Sequence, residues 1–368
     1  MESDDFEKQL GTVRGMYEQY LSFMSGRVAG YPALLGRLFM AFLSGGNVLL
    51  EGAPGLGKTT LARAWAEYFG FSFSRVQFTP DLMPLDILGS NMLQDGPAGR
   101  QFQFYKGPIF ANVVLGDEIN RATPKTQSAF LEAMEEHHVT ILGQTYPLPE
   151  PFFVIATQNP VELEGTYPLP EAQVDRFFMK LRFSMPDAHA LMTILDMHDR
   201  QDGRARPIAT APGHSPSAAS AASTVSTDAP PASAAEASGV LDAWERLRQL
   251  IAVPASVRTY IVRLVQATHP DRSDAPLVRK AVLYGASPRT ALSLLAAGRA
   301  SAAMAGRPAV SFDDIDAVLY DVAAHRLVVS LDAEADGITA TDILDAVRET
   351  TAPEFGRDRA AGNTRAVR

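Results

Sequence analysis

Between Asn47 and about Arg182, short apolar runs alternate with stretches whose apolar residues recur at helical spacing. The runs Asn47–Glu51, Ser72–Phe78, Asn112–Gly116, Phe152–Thr157 and Phe177–Phe183 predict strands, and Leu61–Phe69 and Lys125–Glu136 predict helices between them. Strands apolar on both faces and separated by helices predict a parallel sheet covered on both sides. Upstream, Leu34, Leu35, Leu38, Phe39 and Phe42 recur at three- and four-residue steps until Gly45-Gly46, so the first ~45 residues are expected to be helical. Two stretches interrupt the alternation. Asp86–Phe104, with Gly89, Gly96 and Gly99, predicts a loop or hairpin set into a helix; Val139–Leu148, centred on Gly143, predicts a hairpin before the fourth strand.

The pattern changes after Arg206. From Pro207 to Gly239 the chain is almost wholly Ala, Ser, Thr and Pro, without an aromatic residue and with only Asp228 and Glu236 charged. Such a segment cannot bury enough apolar surface to offset its ordering entropy, and Pro212, Pro216, Pro230 and Pro231 would break an Ala-rich helix, so a disordered insertion is expected. Spaced aliphatics return in Leu241–Ile251, Ala255–Ala267, Pro288–Ala305 and Phe312–His325, which predict a small all-helical domain. The expected partition is a core over residues 1–186, a first lid helix over 187–206, the insertion over 207–239, a helical domain over 240–351 and a polar tail over 352–368.

A chain of 368 residues has room for about two domains, and its 46% hydrophobic and 20% charged content is that of a protein with a real core. The absence of cysteine excludes disulfides, zinc-thiolate and iron–sulfur sites and a thiol nucleophile. A formal charge of −9 speaks against a broad nucleic-acid-binding face. No apolar run approaches the ~18 residues of a membrane span, and the acidic start, Met-Glu-Ser-Asp-Asp, is unlike a secretory signal. A cytoplasmic protein without a membrane span is expected.

Chemistry enters at Gly52-Ala53-Pro54-Gly55-Leu56-Gly57-Lys58-Thr59, followed by Thr60, between an apolar strand and a helix. This is G-x-x-x-x-G-K-[ST]: glycines let backbone N–H groups curl round a phosphate, and the helix N-terminus adds its dipole. Lys58 would neutralise the β- and γ-phosphates, and Thr59 would offer its hydroxyl to Mg²⁺. Downstream, the apolar run Val113–Gly116 ends in Asp117-Glu118, two carboxylates expected at the same edge of the parallel sheet. Asp117 suits the metal's surroundings and Glu118 the polarising of a water that attacks phosphorus.

With these motifs in place, the chain resembles the AAA+ ATPases and, within them, the MoxR family. The resemblance is carried by Leu49-Leu-Glu-Gly-Ala-Pro-Gly-Leu-Gly-Lys-Thr, Phe104-Tyr-Lys-Gly-Pro-Ile-Phe-Ala-Asn, Asp117-Glu-Ile-Asn-Arg-Ala, Ala156-Thr-Gln-Asn-Pro, Glu164-Gly-Thr-Tyr-Pro-Leu-Pro-Glu-Ala-Gln-Val-Asp-Arg-Phe and Gly285-Ala-Ser-Pro-Arg-Thr. It implies a five-stranded parallel αβα sandwich followed by a helical lid, with ATP and Mg²⁺ as cofactors. It further implies Asn159 as sensor 1, Arg176 as an arginine finger reaching a neighbouring subunit's nucleotide, and Arg289 as sensor 2, carried to the nucleotide by the lid. Val28, Gly30 and Tyr31 match the stretch that packs on adenine. Gly116 stands where the family usually carries Ala, and Leu85 where a small polar residue is common.

The activity so implied is Mg²⁺-dependent hydrolysis of ATP to ADP and phosphate, driving chaperone-like remodelling, maturation or metal insertion of a protein client. A homo-oligomeric ring, a hexamer in the family, and a partner with a von Willebrand factor A domain belong to the same implication. Three alternatives share the phosphate loop. A nucleic-acid motor or loader would be expected to carry a basic, aromatic surface or a winged helix, which the sequence lacks; Phe102, Phe104 and Tyr105 suit packing or a client-gripping hairpin better. A small-molecule phosphotransferase would have little use for Arg176 in trans. A magnesium-chelatase-like subunit is a nearer cousin, and the Glu164–Gln173 stretch favours MoxR over it.

Overall fold

The computed structural model describes residues 2–96, 99–160, 165–201, 232 and 234–352. In chain order the core consists of α1 (Glu2–Ser25), α2 (Pro32–Leu43), β1 (Val48–Glu51), α3 (Lys58–Phe69), β2 (Phe73–Gln77), α4 (Pro84–Leu88), β3 (Gly89–Gly96), β4 (Gly99–Lys106), β5 (Val113–Asp117), α5 (Pro124–Glu136), β6 (His138–Ile141), β7 (Gln144–Pro147), β8 (Phe153–Gln158), α6 (Glu171–Val174) and β9 (Met179–Arg182). Five strands form one sheet in the order β2-β5-β8-β1-β9, every pair parallel. Successive residues point to opposite faces: Val48 and Leu50 join the apolar cluster on the α2–α3 side, while Leu49 joins the one under α5. The sandwich expected from the sequence is therefore present, with the same five strands.

Two antiparallel hairpins leave this frame. β3–β4 follows the short helix α4 and runs to Lys106, two residues beyond the predicted hairpin. β6–β7 turns at Leu142 and Gly143, both at positive φ, the geometry a two-residue hairpin loop needs. Phe104 stacks on Tyr146 at 4.0 Å, joining the two hairpins, while Phe102 stays exposed. Gly116 has its reason in packing. A Cβ there would lie 3.0 Å from Phe130 and 3.3 Å from Phe78, an aromatic pair that leaves little space above the strand.

The lid follows as α7 (Ala188–Gln201), α8 (Ala234–Leu250), α9 (Ala255–Ala267), α10 (Pro276–Ala281), β10 (Val282–Tyr284), α11 (Pro288–Met304), α12 (Phe312–Ala323), β11 (Val328–Val329), α13 (Leu331–Ala335) and α14 (Ala340–Thr351). The expected disorder to Gly239 is corrected here: α8 begins at Ala234, seven residues before the predicted start. Pro231 is the last helix breaker, Ala and Glu favour helix from there on, and Ala237 and Val240 are buried where α8 packs on α1. The rest of the predicted insertion, 207–231 and 233, lies outside the described residues, as does the tail from 353. The lid is also not helical throughout, since β10 and β11 pair antiparallel. Among the described residues no helix is long and apolar enough to cross a membrane.

Lid and core meet along α1, which packs on α8 and α11, and where α12 lies along β9 with the 3-10 turn Ala324–Arg326 against α6. Arg37 of α2 pairs with Asp321 of α12 at 2.8 Å, and His325 places Nε2 3.1 Å from the Phe177 carbonyl. Burial, with the Arg326 charge beside it, pushes the His325 pKa down to about 3. The folded protein thus holds this imidazole neutral, whereas the unfolded chain protonates it near pH 6.5. Stability from this site is complete above about pH 6.5 and is lost as pH falls below it, at up to about 1.4 kcal/mol per pH unit. Urea midpoints should therefore fall more steeply between pH 7 and 5 for the native chain than for His325→Gln; parallel slopes would remove His325 as the cause.

Candidate nucleotide site

The phosphate loop is fixed by the sheet at its start and runs into α3 at its end. Gly52 N–H donates to the Gln158 carbonyl at 3.2 Å, and Phe183 N–H donates to the Glu51 carbonyl at 2.7 Å. Gly52 has no room for a side chain, since a Cβ would stand 2.3 Å from the Phe183 carbonyl oxygen. Gly55 and Gly57 take φ of +81° and +95°, the left-handed conformation that curls a loop back on itself. α3 then starts at Lys58 with no side chain capping its first N–H groups, which leaves them available to an anion. Lys58 is buried and lays its Nζ back over the loop, donating to the Gly52 carbonyl at 2.6 Å. Thr59 is half-buried beside it, while Ala53, Pro54 and Thr60 are exposed and Leu56 is half-buried.

Register brings the carboxylates to the same edge. β1 pairs with β8 and β8 with β5, so Gly52, Asn159 and Asp117-Glu118 all follow the C-terminal ends of adjacent strands. Asp117 Oδ1 accepts from the Thr157 hydroxyl at 2.7 Å, and that hydroxyl accepts from Glu118 N–H at 2.9 Å. Asp117 Oδ2 accepts from Arg75 Nη2 at 2.7 Å and from its Nε at 3.1 Å. Glu118 itself sits at φ 59°, ψ 49°, a left-handed conformation costly for a residue with a side chain and of the kind found at functional sites. Its Oε2 accepts from Gln77 Nε2 at 2.8 Å and lies 3.2 Å from Arg121 Nε. Asn159 is buried at the end of β8, where its carbonyl accepts from Asn120 at 3.5 Å.

Next to the loop is a cavity of about 270 Å³, lined by Val28, Tyr31, Leu56, Met185, Leu191 and Ile194 among others. Its apolar walls suit a flat aromatic base. Gly30 contributes differently from its neighbours, because a Cβ there would lie 2.5 Å from that of Ala190, so it lets α7 close over the cavity.

Arg176 and Arg289 are gathered elsewhere. Arg176 follows α6 and places Nε 3.1 Å from Glu135 Oε2; Arg289, in the first turn of α11, places Nη2 2.9 Å from Oε1 of the same carboxylate. Arg289 Nη1 also approaches Asp175 at 3.7 Å. Lys58, Thr59, Asp117, Glu118 and Asn159 thus share one sheet edge, whereas the two arginines converge on Glu135. Arg289, which the resemblance assigns as the sensor 2 that the lid carries to the nucleotide, stands here where α11 starts against the end of α5. Arg75, Gln77, Thr157 and Glu135 escaped the sequence reading. For the first two the available signal was a pair of polar residues two apart on the strand beside the Asp-Glu strand.

Residues 47–179 match the model of the ATPase family associated with various cellular activities (AAA), and residues 274–347 match the AAA lid domain. The chain is 39% identical over 326 residues to the protein named "Chaperone MoxR1" of Mycobacterium tuberculosis, covering 88% of this chain and 79% of that one. It is 32% identical to the "Protein MoxR" of Methylorubrum extorquens, over 82% of this chain and 84% of the relative. A solved structure from Cytophaga hutchinsonii superposes with a TM-score of 0.79 at 35% identity, covering 95% of this chain and 98% of that one. Core and lid are matched in order, and identity at this level extends over most of both chains: the protein belongs to the MoxR family of AAA+ ATPases.

Proposed function

We propose that this ATPase works with magnesium at the edge formed by the phosphate loop, Asp117, Glu118 and Asn159, and that a ring of subunits, a hexamer by family resemblance, turns hydrolysis into remodelling of a protein client. The observation that carries the reading is the uncapped start of α3 at the same C-terminal sheet edge as the Asp117-Glu118 pair, with only β8 between β1 and β5. The loop's N–H groups and Lys58 would hold the phosphates, exchanging Lys58's bond to the Gly52 carbonyl for charge-assisted bonds to oxygen. Asn159 would orient the attacking water and Glu118 would draw its proton. Val28 and Tyr31 would face the adenine across the cavity.

The donor chemistry fits magnesium. Thr59 offers a hydroxyl and Asp117 a carboxylate, both hard oxygens, and among the described residues no cluster of three His, Cys, Asp or Glu competes for the role. Two protein oxygens are what a phosphate-bound magnesium ion needs, since the nucleotide and water supply the others. Bound there, the ion would neutralise charge on the β- and γ-phosphates.

Arg176 would complete the neighbouring subunit's site, which makes the contact head-to-tail and the assembly a closed ring. A von Willebrand factor A domain partner and maturation or metal insertion of the client follow the family resemblance, as does a cytoplasmic location, where ATP is supplied. Calorimetry tests the base of the reading. ATP should bind with magnesium present, and Lys58→Ala should weaken binding by roughly 10- to 100-fold, the worth of one or two hydrogen bonds to a charged group. No magnesium-supported affinity for adenine nucleotides would overturn it.

A further inference from the structure

The lid grips the core at the residues on either side of Arg176. Arg326, in the turn after α12, has 2% of its side chain exposed and places Nε 3.1 Å from Asp175 Oδ1. Its Nη2 donates to the Phe177 carbonyl at 2.8 Å, an oxygen that also lies 3.1 Å from His325 Nε2. Ser287, the residue before α11, donates to Asp175 Oδ1 at 3.4 Å. Asp175 and Phe177 are therefore both fastened to the lid, while the side chain between them rests on Glu135 of the core helix α5.

A joint needing only cohesion would be built from apolar side chains, because desolvating a guanidinium is expensive. Arg326 is moreover not fully satisfied: Nη1 is buried without a hydrogen-bond partner, and Nε faces Asp175 without hydrogen-bond alignment. Burial lowers its pKa to about 10. A buried guanidinium reaching from the lid turn to both Asp175 and Phe177 couples the two elements directly. Arg289, also on the lid, shares Glu135 with Arg176, so a lid rotation would disturb the resting place of the finger together with its two anchors.

We propose that Arg326 is a positioning residue that ties each subunit's lid to its own Asp175–Phe177 segment, so that lid orientation decides how Arg176 is presented to the adjoining subunit. α7 lines the nucleotide cavity with Leu191 and Ile194, and a displacement shared by α7 and the Arg326 turn would pass occupancy of one site to the next. Placement matters because a guanidinium an ångström out of position loses much of its effect on a transferring phosphoryl group. This inference rests on Arg176 acting in trans.

Arg326→Met keeps volume and removes the fork; Asp175 retains Arg289 and Ser287. The variant should bind a non-hydrolysable ATP analogue within about twofold of native affinity, while kcat falls roughly 10- to 100-fold through finger misplacement. Mixed with Lys58→Ala subunits, whose finger and lid are native, its sites should regain turnover, since they receive an intact finger from the neighbour. Damage confined to the variant's own lid would instead leave its own site disabled in any mixture, and no gain over the separate proteins would overturn the proposal. If Arg326→Met fails to assemble, Arg326→Lys, which keeps the charge but not the fork, decides by the same comparison. Arg176→Ala mixed with Lys58→Ala is the control. Its recovery without that of the Arg326 variant refutes the link alone; failure of both refutes the trans finger and the link with it.

Discussion

Glu118→Gln should abolish most ATP turnover while leaving ATP bound at least as tightly as in the native protein. Removing a positioned base from proton transfer costs roughly 10²- to 10⁴-fold in rate. Binding should survive because Lys58, the loop glycines and Asp117 are untouched, and because one negative charge fewer faces the triphosphate. The fold should survive too. The introduced amide can still accept from Gln77 through its carbonyl oxygen, and the left-handed backbone at this position is held by its N–H bond to Thr157, not by the carboxylate. Steady-state phosphate release paired with equilibrium binding of the analogue gives the answer, and turnover within threefold of native would reject Glu118 as the activating carboxylate. In the proposed role Glu118 would start from a restrained state, with Oε2 between Gln77 and Arg121. Freeing it requires β2 and the turn after β5 to release it together.

The phosphate loop and the Asp-Glu pair were legible in the sequence because local backbone geometry dictates them: left-handed glycines, a helix start and an apolar strand each leave a residue-level mark. The sheet followed from buried runs alternating with helical periodicity. What stayed hidden depends on register and docking. Arg75 and Gln77 reach the carboxylates only because β2 pairs with β5, with Gln77 opposite Asp117. Glu135 sits in an acidic helix end that looks solvated until α6 and α11 are brought to it. Arg326 lies at the end of an ordinary amphipathic helix, and nothing in its spacing signals burial. The start of α8 was misplaced for a related reason, since Ala-rich composition is compatible with disorder until α1 supplies a surface to bury it against.

Arg176→Ala should bind ATP normally and turn it over on the order of 10³-fold more slowly, the scale on which an arginine finger stabilises charge in phosphoryl transfer. Normal binding is expected because Arg176 is engaged at Glu135 rather than at its own phosphate loop, so its loss leaves that loop's hydrogen bonds intact. The decisive measurement is again made in mixtures. Lys58→Ala subunits have a disabled site and a native finger; Arg176→Ala subunits have the reverse. In a randomly mixed head-to-tail ring with equal parts of each, about a quarter of the interfaces join an intact loop to an intact finger, and turnover should rise to about a quarter of native from two nearly inactive proteins. A finger acting within its own chain would give no such gain. Glu135 gives the proposed role a consequence: Arg176 would have to leave a carboxylate 3.1 Å away to reach a phosphate, and the neighbour's triphosphate would have to outcompete an ion pair already formed. On the proposed reading, that competition would favour the finger's release only when nucleotide is present next door, tying each subunit's finger to its neighbour's occupancy.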